Sequence, residues 1–223
     1  MNALQRLCAQ MGLSFTDQAL LREALSHRSY GTPNYERLEY LGDSLLNFVI
    51  ADELHRAHSE LDEGDLSRLR ASLVRGSTLA EIAREYQLGD YLLMGSGELK
   101  SGGFDRDSIL ADVVESIIGA TLRDAGFEAA RALVLHLYSN RLVNLPSAET
   151  LKDSKTRLQE YLQGDGHALP VYKVIEKTGQ DHNLSFTVEC VSEAQKLRTT
   201  AIASSRRKAE QAAAQAMLES LST

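Results

Sequence analysis

The sequence predicts an all-helical first domain followed by a small α+β domain. Apolar residues recur at helical spacing from the start of the chain to about residue 144. Beyond that point, three runs with partial period-two alternation lie between two further helical runs. The resulting α-β-β-β-α order predicts a small sheet with both helices on one of its faces. We therefore expect a helical domain at 1–145, a linker at 146–151 and an α+β domain at 152–223.

Turn signals between the periodic runs define the individual elements. Residues 31–34, 62–65 and 95–107 are predicted turns, and Asp124-Ala125-Gly126 resembles a helix end with glycine just beyond it. In the first domain we predict helices at 3–11, 17–26, 36–57, 65–74, 77–87, 108–124 and 127–143. In the second we predict helices at 153–163 and 205–221 and strands at 171–177, 184–191 and 196–203.

The composition is typical of a globular protein. The 223 residues are 43% hydrophobic and 25% charged. No apolar run is long enough to span a bilayer, and the first fifteen residues lack a charged segment followed by an apolar core. We therefore predict neither a membrane partner nor a secretory signal. Cys8 and Cys190 lie far apart, which indicates ordinary thiols in a reducing cytoplasm rather than a disulfide or a zinc site.

The net charge of −7 is unevenly distributed along the chain. Residues 150–223 contain ten Lys or Arg and nine Asp or Glu, whereas residues 1–149 contain fourteen and twenty-two. The acidic excess therefore belongs to the first domain. The one tight basic cluster, Arg206-Arg207-Lys208, belongs to the second, so whole-chain charge does not exclude a nucleic-acid partner.

The predicted helix 36–57 carries its acidic residues on one narrow face. Because successive helical residues advance by about 100°, Glu36, Glu39 and Asp43 share that face, and Asn47 extends it. A helix this apolar elsewhere is not typical of a solvated surface, so we expect the acidic face to line a cleft. The opposite, apolar side is predicted to consist of Leu38, Leu41, Leu45, Phe48 and Val49.

The predicted helix 108–124 repeats this arrangement. Asp112 and Glu115 are three residues apart and share a face, while apolar residues such as Val113 and Ile117 occupy the other. Gly119 follows on the acidic side, where a missing side chain predicts close approach of a neighbouring element.

Two acidic faces of this kind predict a divalent cation. Carboxylates grouped in a partly buried place repel one another, and they become protonated unless a cation compensates. Oxygen ligands suit Mg²⁺ or Mn²⁺ rather than Zn²⁺, and such cations polarise phosphoryl oxygens and activate water. The alternative is that each acidic pair is an ordinary solvated helix face.

Several segments, taken together, resemble the ribonuclease III family and look like a bacterial member of it. The most specific is ERLEYLGDSLLN at 36–47, which resembles the family's signature helix. The supporting segments follow in the family's order and are ALSHRS at 24–29, DEGDLS at 62–67, GSGE at 95–98 and ILADVVE at 109–115.

The resemblance implies an all-α ribonuclease III endonuclease domain that forms a homodimer and cleaves double-stranded RNA. It implies metal ligands at Glu39, Asp43, Asp112 and Glu115, with catalytic roles for Asp43 and Glu115. It also implies Mg²⁺ as the cofactor, with Mn²⁺ substituting, and products with 5′-phosphate and 3′-hydroxyl ends and a short 3′ overhang. Ribosomal RNA precursors are the substrates that the family implies.

The resemblance gives further residues supporting roles. Glu36 and Glu63 would lie near the metals or the scissile strand, although Glu63 stands in a predicted turn and could equally be part of a helix cap. Tyr40 occupies the family's aromatic position that contacts the partner subunit. From its helical position alone, Tyr40 would instead be a core aromatic residue.

The second domain resembles a double-stranded RNA-binding domain. Its predicted minor-groove helix contains TRLQEYL at 156–162, and the loop GQDHNLSF at 179–186 would bring His182 to the next minor groove. Backbone N–H groups and basic side chains at a helix start suit phosphates, as in SSRRKA at 204–209. Taken alone, the basic cluster would be a solvated face and His182 a surface loop residue. The implied RNA-binding residues are Thr156, Gln159, Glu160, His182, Ser205, Arg206, Arg207 and Lys208.

Two departures from the family pattern concern RNA affinity. Ala201 and Ala203 stand where the family usually has glycine, and a turn with positive φ there would be strained by alanine. Glu210 stands where such domains commonly have a basic residue. Two alternative functions also remain at this stage, a non-catalytic protein that binds double-stranded RNA and a helical interaction protein with solvated acidic faces.

Overall fold

The computed structural model describes residues 3–179 and 183–221. The chain forms two compact units, Met1–Leu151 and Lys152–Thr223. The first unit is all-helical and the second contains a sheet flanked by helices, which confirms the predicted fold class. Within the described residues, no helix combines the length and the apolar character needed to cross a membrane.

The first unit contains nine α-helices among its described residues, joined by short connections. Two single-turn 3₁₀ helices, Leu88–Tyr91 and Gly103–Asp105, lie between α5 and α7. The α-helices are α1 Ala3–Met11, α2 Gln18–Ala24, α3 Glu36–Ala57, α4 Glu63–Val74, α5 Gly76–Glu85, α6 Ser96–Lys100, α7 Asp107–Leu137, α8 Ser139–Val143 and α9 Ala148–Leu151.

Two predicted turns are partly helical. The prediction of a turn at 62–65 is wrong because α4 already begins at Glu63. Asp62 caps this helix by accepting a hydrogen bond from the N–H of Asp65 at 2.7 Å. The stretch 95–107 contains the short helix α6. Its high glycine content indicates a loop, but Ser101 and Glu98 close the turn through hydrogen bonds that composition does not reveal.

A glycine interrupts the long helix α7 where the sequence predicts a break. Gly126 has a φ of 82°, a left-handed conformation that glycine adopts without a steric penalty. Helical geometry then resumes and continues to Leu137, and Tyr138 separates α7 from α8. The predicted second helix, 127–143, is therefore two helical segments.

The centre of the first unit is the contact between α3 and α7. A Cβ atom on Gly42 would overlap the backbone carbonyl of Glu115, and one on Gly119 would overlap the carbonyl of Leu38. The close approach predicted at Gly119 is thus confirmed. Buried side chains such as Leu46 and Ile117 fill the core around this contact.

Phe48 belongs to the predicted apolar side of α3 but is not buried. Its side chain is 57% exposed, and its ring contacts that of Phe127, with the centroids 6.1 Å apart. On the same side, Leu38, Leu45 and Val49 are buried, whereas Leu41 is only partly buried. Helical periodicity identifies an apolar face, but the width that neighbouring helices cover depends on the tertiary packing.

The second unit has the predicted α-β-β-β-α order. Helix α10 spans Ser154–Gly164, and α11 spans Arg206–Leu221. Strands β1 Val171–Thr178, β2 Ser185–Ser192 and β3 Leu197–Ala203 form one antiparallel sheet in the order β1-β2-β3. Both helices pack on one face of this sheet, and their shared core consists of Leu158, Leu162, Cys190, Ala213, Ala214, Met217 and Leu218.

The two alanines that replace the expected glycines lie inside β3. Ala201 pairs with Val188, and Ala203 pairs with Phe186. Among the described residues, the only non-glycine positions with positive φ are Gln87 and Lys196. The strain that positive φ would impose at Ala201 and Ala203 is therefore absent, because the strand extends through both positions.

Helix α9 occupies most of the segment predicted as a linker, 146–151. It packs against α4 and belongs to the first unit. Ser147 caps this single turn, because its hydroxyl accepts a hydrogen bond from the N–H of Thr150 at 3.3 Å. The hydroxyl of Thr150 in turn donates a hydrogen bond to the carbonyl of Ser147 at 2.7 Å.

Candidate metal centre and nucleic-acid interface

Three carboxylates from α3 and α7 form one compact group. Glu39, Asp112 and Glu115 each offer an oxygen, and these oxygens lie within 4.8 Å of one another. All three side chains are partly buried. The glycine contacts between α3 and α7 explain this proximity, since they let the two acidic helix faces meet without intervening side chains.

The environment of the group disfavours its charged form. Burial, followed by the charges of Asp112, Glu36 and Asp43, raises the pKa of Glu39 to about 7. Burial, followed by the charges of Asp43, Glu39 and Asp112, raises the pKa of Glu115 to about 8. Burial also raises the pKa of Asp112. A divalent cation would relieve this repulsion, and three carboxylate oxygens suit Mg²⁺ or Mn²⁺.

The fourth predicted ligand, Asp43, lies one helical turn beyond Glu39. It is exposed and is not part of the group of three carboxylates. One of its oxygens accepts a hydrogen bond from the side-chain amide of Asn47 at 2.8 Å. Asp43 is nevertheless close enough to raise the pKa values of both Glu39 and Glu115.

The two predicted supporting acids lie outside the group of three. Glu36 is exposed and faces Arg28, with Nη1 and Oε1 3.7 Å apart. Glu63 begins α4, and its Oε1 accepts a hydrogen bond from Ser67 at 2.8 Å. Glu63 also lines a surface cavity of about 300 Å³ together with His55 and Arg70.

A buried tyrosine outside the set of predicted site residues contacts the group. The hydroxyl of Tyr35 donates a hydrogen bond to Oδ2 of Asp112 at 3.1 Å. Tyr35 is only 3% exposed. Its place immediately before the acidic helix is the one sequence signal that could have indicated it, because no periodicity places it beside Asp112.

In the second unit, basic and polar side chains surround the start of α11. Arg206, Arg207 and Lys208 are exposed, and the hydroxyl of Ser205 accepts a hydrogen bond from the N–H of Lys208 at 3.3 Å. Glu210 is buried beneath them. Its two oxygens accept hydrogen bonds from Arg206 at 2.8 Å and from Lys155 at 2.7 Å.

The remaining RNA-binding candidates of α10 lie near the same end of the unit. Gln159 is exposed, and Thr156 is partly buried. Both line a surface cavity of about 520 Å³ to which Arg207 also contributes. Glu160 is exposed and accepts a hydrogen bond from Lys152 at 2.6 Å. The structure therefore brings residues of α10 and of the α11 start together at one surface.

Comparison with known proteins identifies both units. Residues 17–142 match the family described as Ribonuclease-III-like, and residues 154–221 match the double-stranded RNA binding motif. The chain is 54% identical to Ribonuclease 3 of Vibrio vulnificus, over 98% of this chain and 97% of that protein. It is 53% identical to Ribonuclease 3 of a Shewanella species, over 98% of this chain and 96% of that protein. The chain belongs to the ribonuclease III family.

Solved structures support the same assignment for the helical unit of this ribonuclease III family member. The nuclease domain of ribonuclease III from Campylobacter jejuni is 39% identical, with a TM-score of 0.62, over 66% of this chain and all of that one. A second structure of that domain, described as flexible in a region involved in dimer formation, is 41% identical with a TM-score of 0.60. It covers 61% of this chain and 96% of its own.

Two candidate residues of this ribonuclease III family member stand apart from the polar clusters. Tyr40 is 78% exposed, so the interpretation of Tyr40 as a core aromatic residue is wrong. It borders a surface groove of about 670 Å³ with Leu20, Leu41 and Arg123. His182 lies outside the described residues.

Proposed function

We propose that this chain is an endoribonuclease that cleaves double-stranded RNA in a reaction that depends on a divalent cation. The observation that supports it most is the group of Glu39, Asp112 and Glu115, whose oxygens lie within 4.8 Å of one another. Burial and mutual repulsion raise the pKa values of Glu39 and Glu115, which is not expected of carboxylates on a solvated helix face. The double-stranded RNA binding motif at 154–221 indicates double-stranded RNA as the substrate.

Mg²⁺ is the proposed cofactor, and Mn²⁺ would substitute for it because both ions prefer oxygen ligands. Glu39, Asp43, Asp112 and Glu115 would hold the cation, with Asp43 and Glu115 as the catalytic residues. When bound, such a cation polarises phosphoryl oxygens and activates water. The exposed Glu36 and Glu63 would bind or orient groups of the substrate strand near this site.

The proposed products carry 5′-phosphate and 3′-hydroxyl ends with a short 3′ overhang, as the family resemblance implies. An overhang requires one cut in each strand, and a homodimer provides two metal centres for this purpose. The exposed Tyr40 supports dimer formation because its side chain and the adjoining groove offer apolar surface to a second copy. A related nuclease domain is also described as forming a dimer.

The RNA-binding motif would hold the duplex by its shape and charge. Exposed Arg206, Arg207 and Lys208 at the start of α11 suit backbone phosphates. Contacts of this type are largely independent of base sequence. Thr156, Gln159 and Glu160 of α10, together with Ser205 and His182, complete the proposed RNA-binding set.

The proposed cellular role is processing of ribosomal RNA precursors and of other transcripts, including messenger and transfer RNA. A cytoplasmic location stays a prediction. It agrees with the presence of two free cysteines, Cys8 and Cys190, since disulfides are rare in that compartment.

A cleavage assay on a long RNA duplex tests the proposal. We expect endonucleolytic cutting with Mg²⁺ or Mn²⁺ and none in EDTA. Glu115→Gln should reduce the rate on the order of 100-fold or more, as removal of one preorganised electrostatic group does. It should leave duplex binding intact. Glu128→Gln is the matched control, because Glu128 is an exposed residue of the same helix.

Two outcomes would contradict the proposal. A protein that binds duplex RNA but never cuts it with either cation would be a non-catalytic RNA-binding protein. A chain for which Glu115→Gln and Glu128→Gln behave alike would have acidic faces that are merely solvated, as expected of a helical interaction protein.

A further inference from the structure

We propose that Tyr35 is a positioning residue that holds the two acidic helices in register for cation binding. Its hydroxyl orients Asp112 of α7, while its backbone fixes the start of α3, the helix that carries Glu39. The inference rests on the proposed function, because Asp112 and Glu39 are proposed ligands of the cation.

The hydroxyl contact restricts one of the three grouped carboxylates. Tyr35 donates a hydrogen bond to Oδ2 of Asp112 at 3.1 Å, and the side chain is buried at 3% exposure. A buried phenol hydroxyl needs a polar partner, so this contact is costly to lose. A carboxylate has two oxygens, so Asp112 can accept this bond and still offer an oxygen to a cation.

The backbone of Tyr35 anchors the start of α3. Its carbonyl accepts hydrogen bonds from the N–H groups of Leu38 at 2.9 Å and Glu39 at 2.8 Å. Its own N–H donates to the carbonyl of Ser26 at 3.0 Å. A single residue therefore contacts one proposed ligand, Asp112, through its side chain and another, Glu39, through its main chain.

The segment behind the Tyr35 ring is itself fixed by hydrogen bonds. The ring of His27 meets that of Tyr35 edge to face, with the centroids 5.7 Å apart. Nδ1 of His27 lies 2.7 Å from the hydroxyl of Ser29, which accepts a hydrogen bond from the N–H of Gly95 at 3.0 Å. The N–H of His27 donates to the carbonyl of Leu93 at 2.9 Å. Because these contacts hold His27, rotation of the Tyr35 ring away from Asp112 is opposed.

Hydrogen bonds to a metal-ligating carboxylate typically change the affinity for the metal by about 10–100-fold. Tyr35→Phe removes only the hydroxyl oxygen and keeps the ring that packs on His27. We therefore expect this variant of the full chain to bind Mn²⁺ about 10–100-fold more weakly in the absence of RNA. Calorimetry or the electron paramagnetic resonance of free Mn²⁺ measures this affinity without any turnover.

Tyr138→Phe is the matched control. Tyr138 is also buried in the first unit, and its hydroxyl donates a hydrogen bond to the carbonyl of Leu73 at 3.2 Å. This variant also loses one buried hydroxyl, so it reports the general effect on stability. We expect it to retain the wild-type affinity for Mn²⁺. Thermal unfolding of both variants establishes that they are folded at the temperature of the titration.

Cleavage provides a second readout. Tyr35→Phe should shift the Mn²⁺ concentration for half-maximal cleavage upward, with the rate restored at saturating Mn²⁺ and duplex binding unchanged. A folded Tyr35→Phe protein with the wild-type Mn²⁺ affinity would overturn the inference and leave the proposed function intact. A wild-type chain that binds no Mn²⁺ would overturn both.

Discussion

Gly42 of α3 lies directly against the backbone carbonyl of Glu115 in α7, and even a methyl side chain at Gly42 would overlap that oxygen. Gly119 bears the same relationship to the carbonyl of Leu38. These two contacts set the separation of the helices that carry Glu39, Asp112 and Glu115. The distances within the carboxylate group therefore depend on two residues without side chains.

Gly42→Ala should destabilise the protein by about 1–3 kcal/mol, because the overlapped atom is rigid backbone and the helices must separate. Urea denaturation measures the loss, and Mn²⁺ affinity should fall with it. Gly97→Ala is the control, since a Cβ atom at that helical position meets nothing within 4 Å. A Gly42→Ala protein as stable as Gly97→Ala would contradict this account.

In the absence of a divalent cation, thermal stability should fall between about pH 5 and pH 8. The pKa values of Glu39 and Glu115 are raised from 4.5 to about 7 and about 8, so the folded protein holds these protons more tightly than the unfolded chain. Their contribution to stability is present below pH 4.5 and is lost as the pH rises through 7 and 8. Melting temperatures in EDTA across this range measure the effect.

Two comparisons separate the contribution of Glu39 and Glu115 to this pH dependence from that of other titrating groups. Glu115→Gln should reduce the loss of melting temperature, because the neutral amide does not titrate. Mg²⁺ should raise the melting temperature more at pH 8 than at pH 5, since the cation competes with the protons. A pH profile unaffected by either change would show that other groups determine it.

Glu210→Gln should tighten binding of duplex RNA at low salt. Glu210 accepts hydrogen bonds from both Arg206 and Lys155, so these cations are partly neutralised within the protein. The hydrogen bond from Lys155, then that from Arg206 and the charges of both residues, lower the pKa of Glu210 despite its burial, so Glu210 is ionised at neutral pH. Each of these basic side chains that is freed to bind a phosphate should make the slope of log K against log salt concentration steeper by about one.

Filter binding or fluorescence anisotropy at several salt concentrations gives that slope. Glu219→Gln removes the same charge near the other end of α11 and should leave the slope unchanged. Arg207→Ala should make the slope shallower by about one. A Glu210→Gln protein with weaker binding and the wild-type slope would indicate that Glu210 only stabilises the fold.

Tyr40→Ala should weaken dimer formation. At 78% exposure, Tyr40 is among the largest exposed apolar side chains of the described residues, and buried aromatic anchors often contribute 2 kcal/mol or more to an interface. That loss corresponds to roughly 30-fold in the dimer dissociation constant. Sedimentation equilibrium measures it. Val143→Ala, at a position that is 83% exposed on α8, should leave the dimer unchanged.

Much of the fold could be predicted because local patterns determine it. The predicted bounds of α1 and α3 match the structure, and the break predicted near Gly126 is present. The exposed position of Phe48 could not be predicted. Helical periodicity gives the face on which a side chain lies, but it does not give how much of that face the neighbouring helices cover. The predicted strand 196–203 already included Ala203, and the pairing of Ala203 with Phe186 shows that no turn with positive φ occurs at this position.

The sequence by itself determined the two-domain order, the acidic faces of α3 and α7, and the basic start of α11, because each of these is a local pattern of residue types. Only the tertiary structure decided which acids meet. It groups Glu39, Asp112 and Glu115, and it leaves Asp43 exposed beside them. It also brings Tyr35 to Asp112, although 77 positions separate them in the chain. Distances of this kind depend on how closely two helices pack, and here two glycines that contact backbone across the helix interface determine that packing.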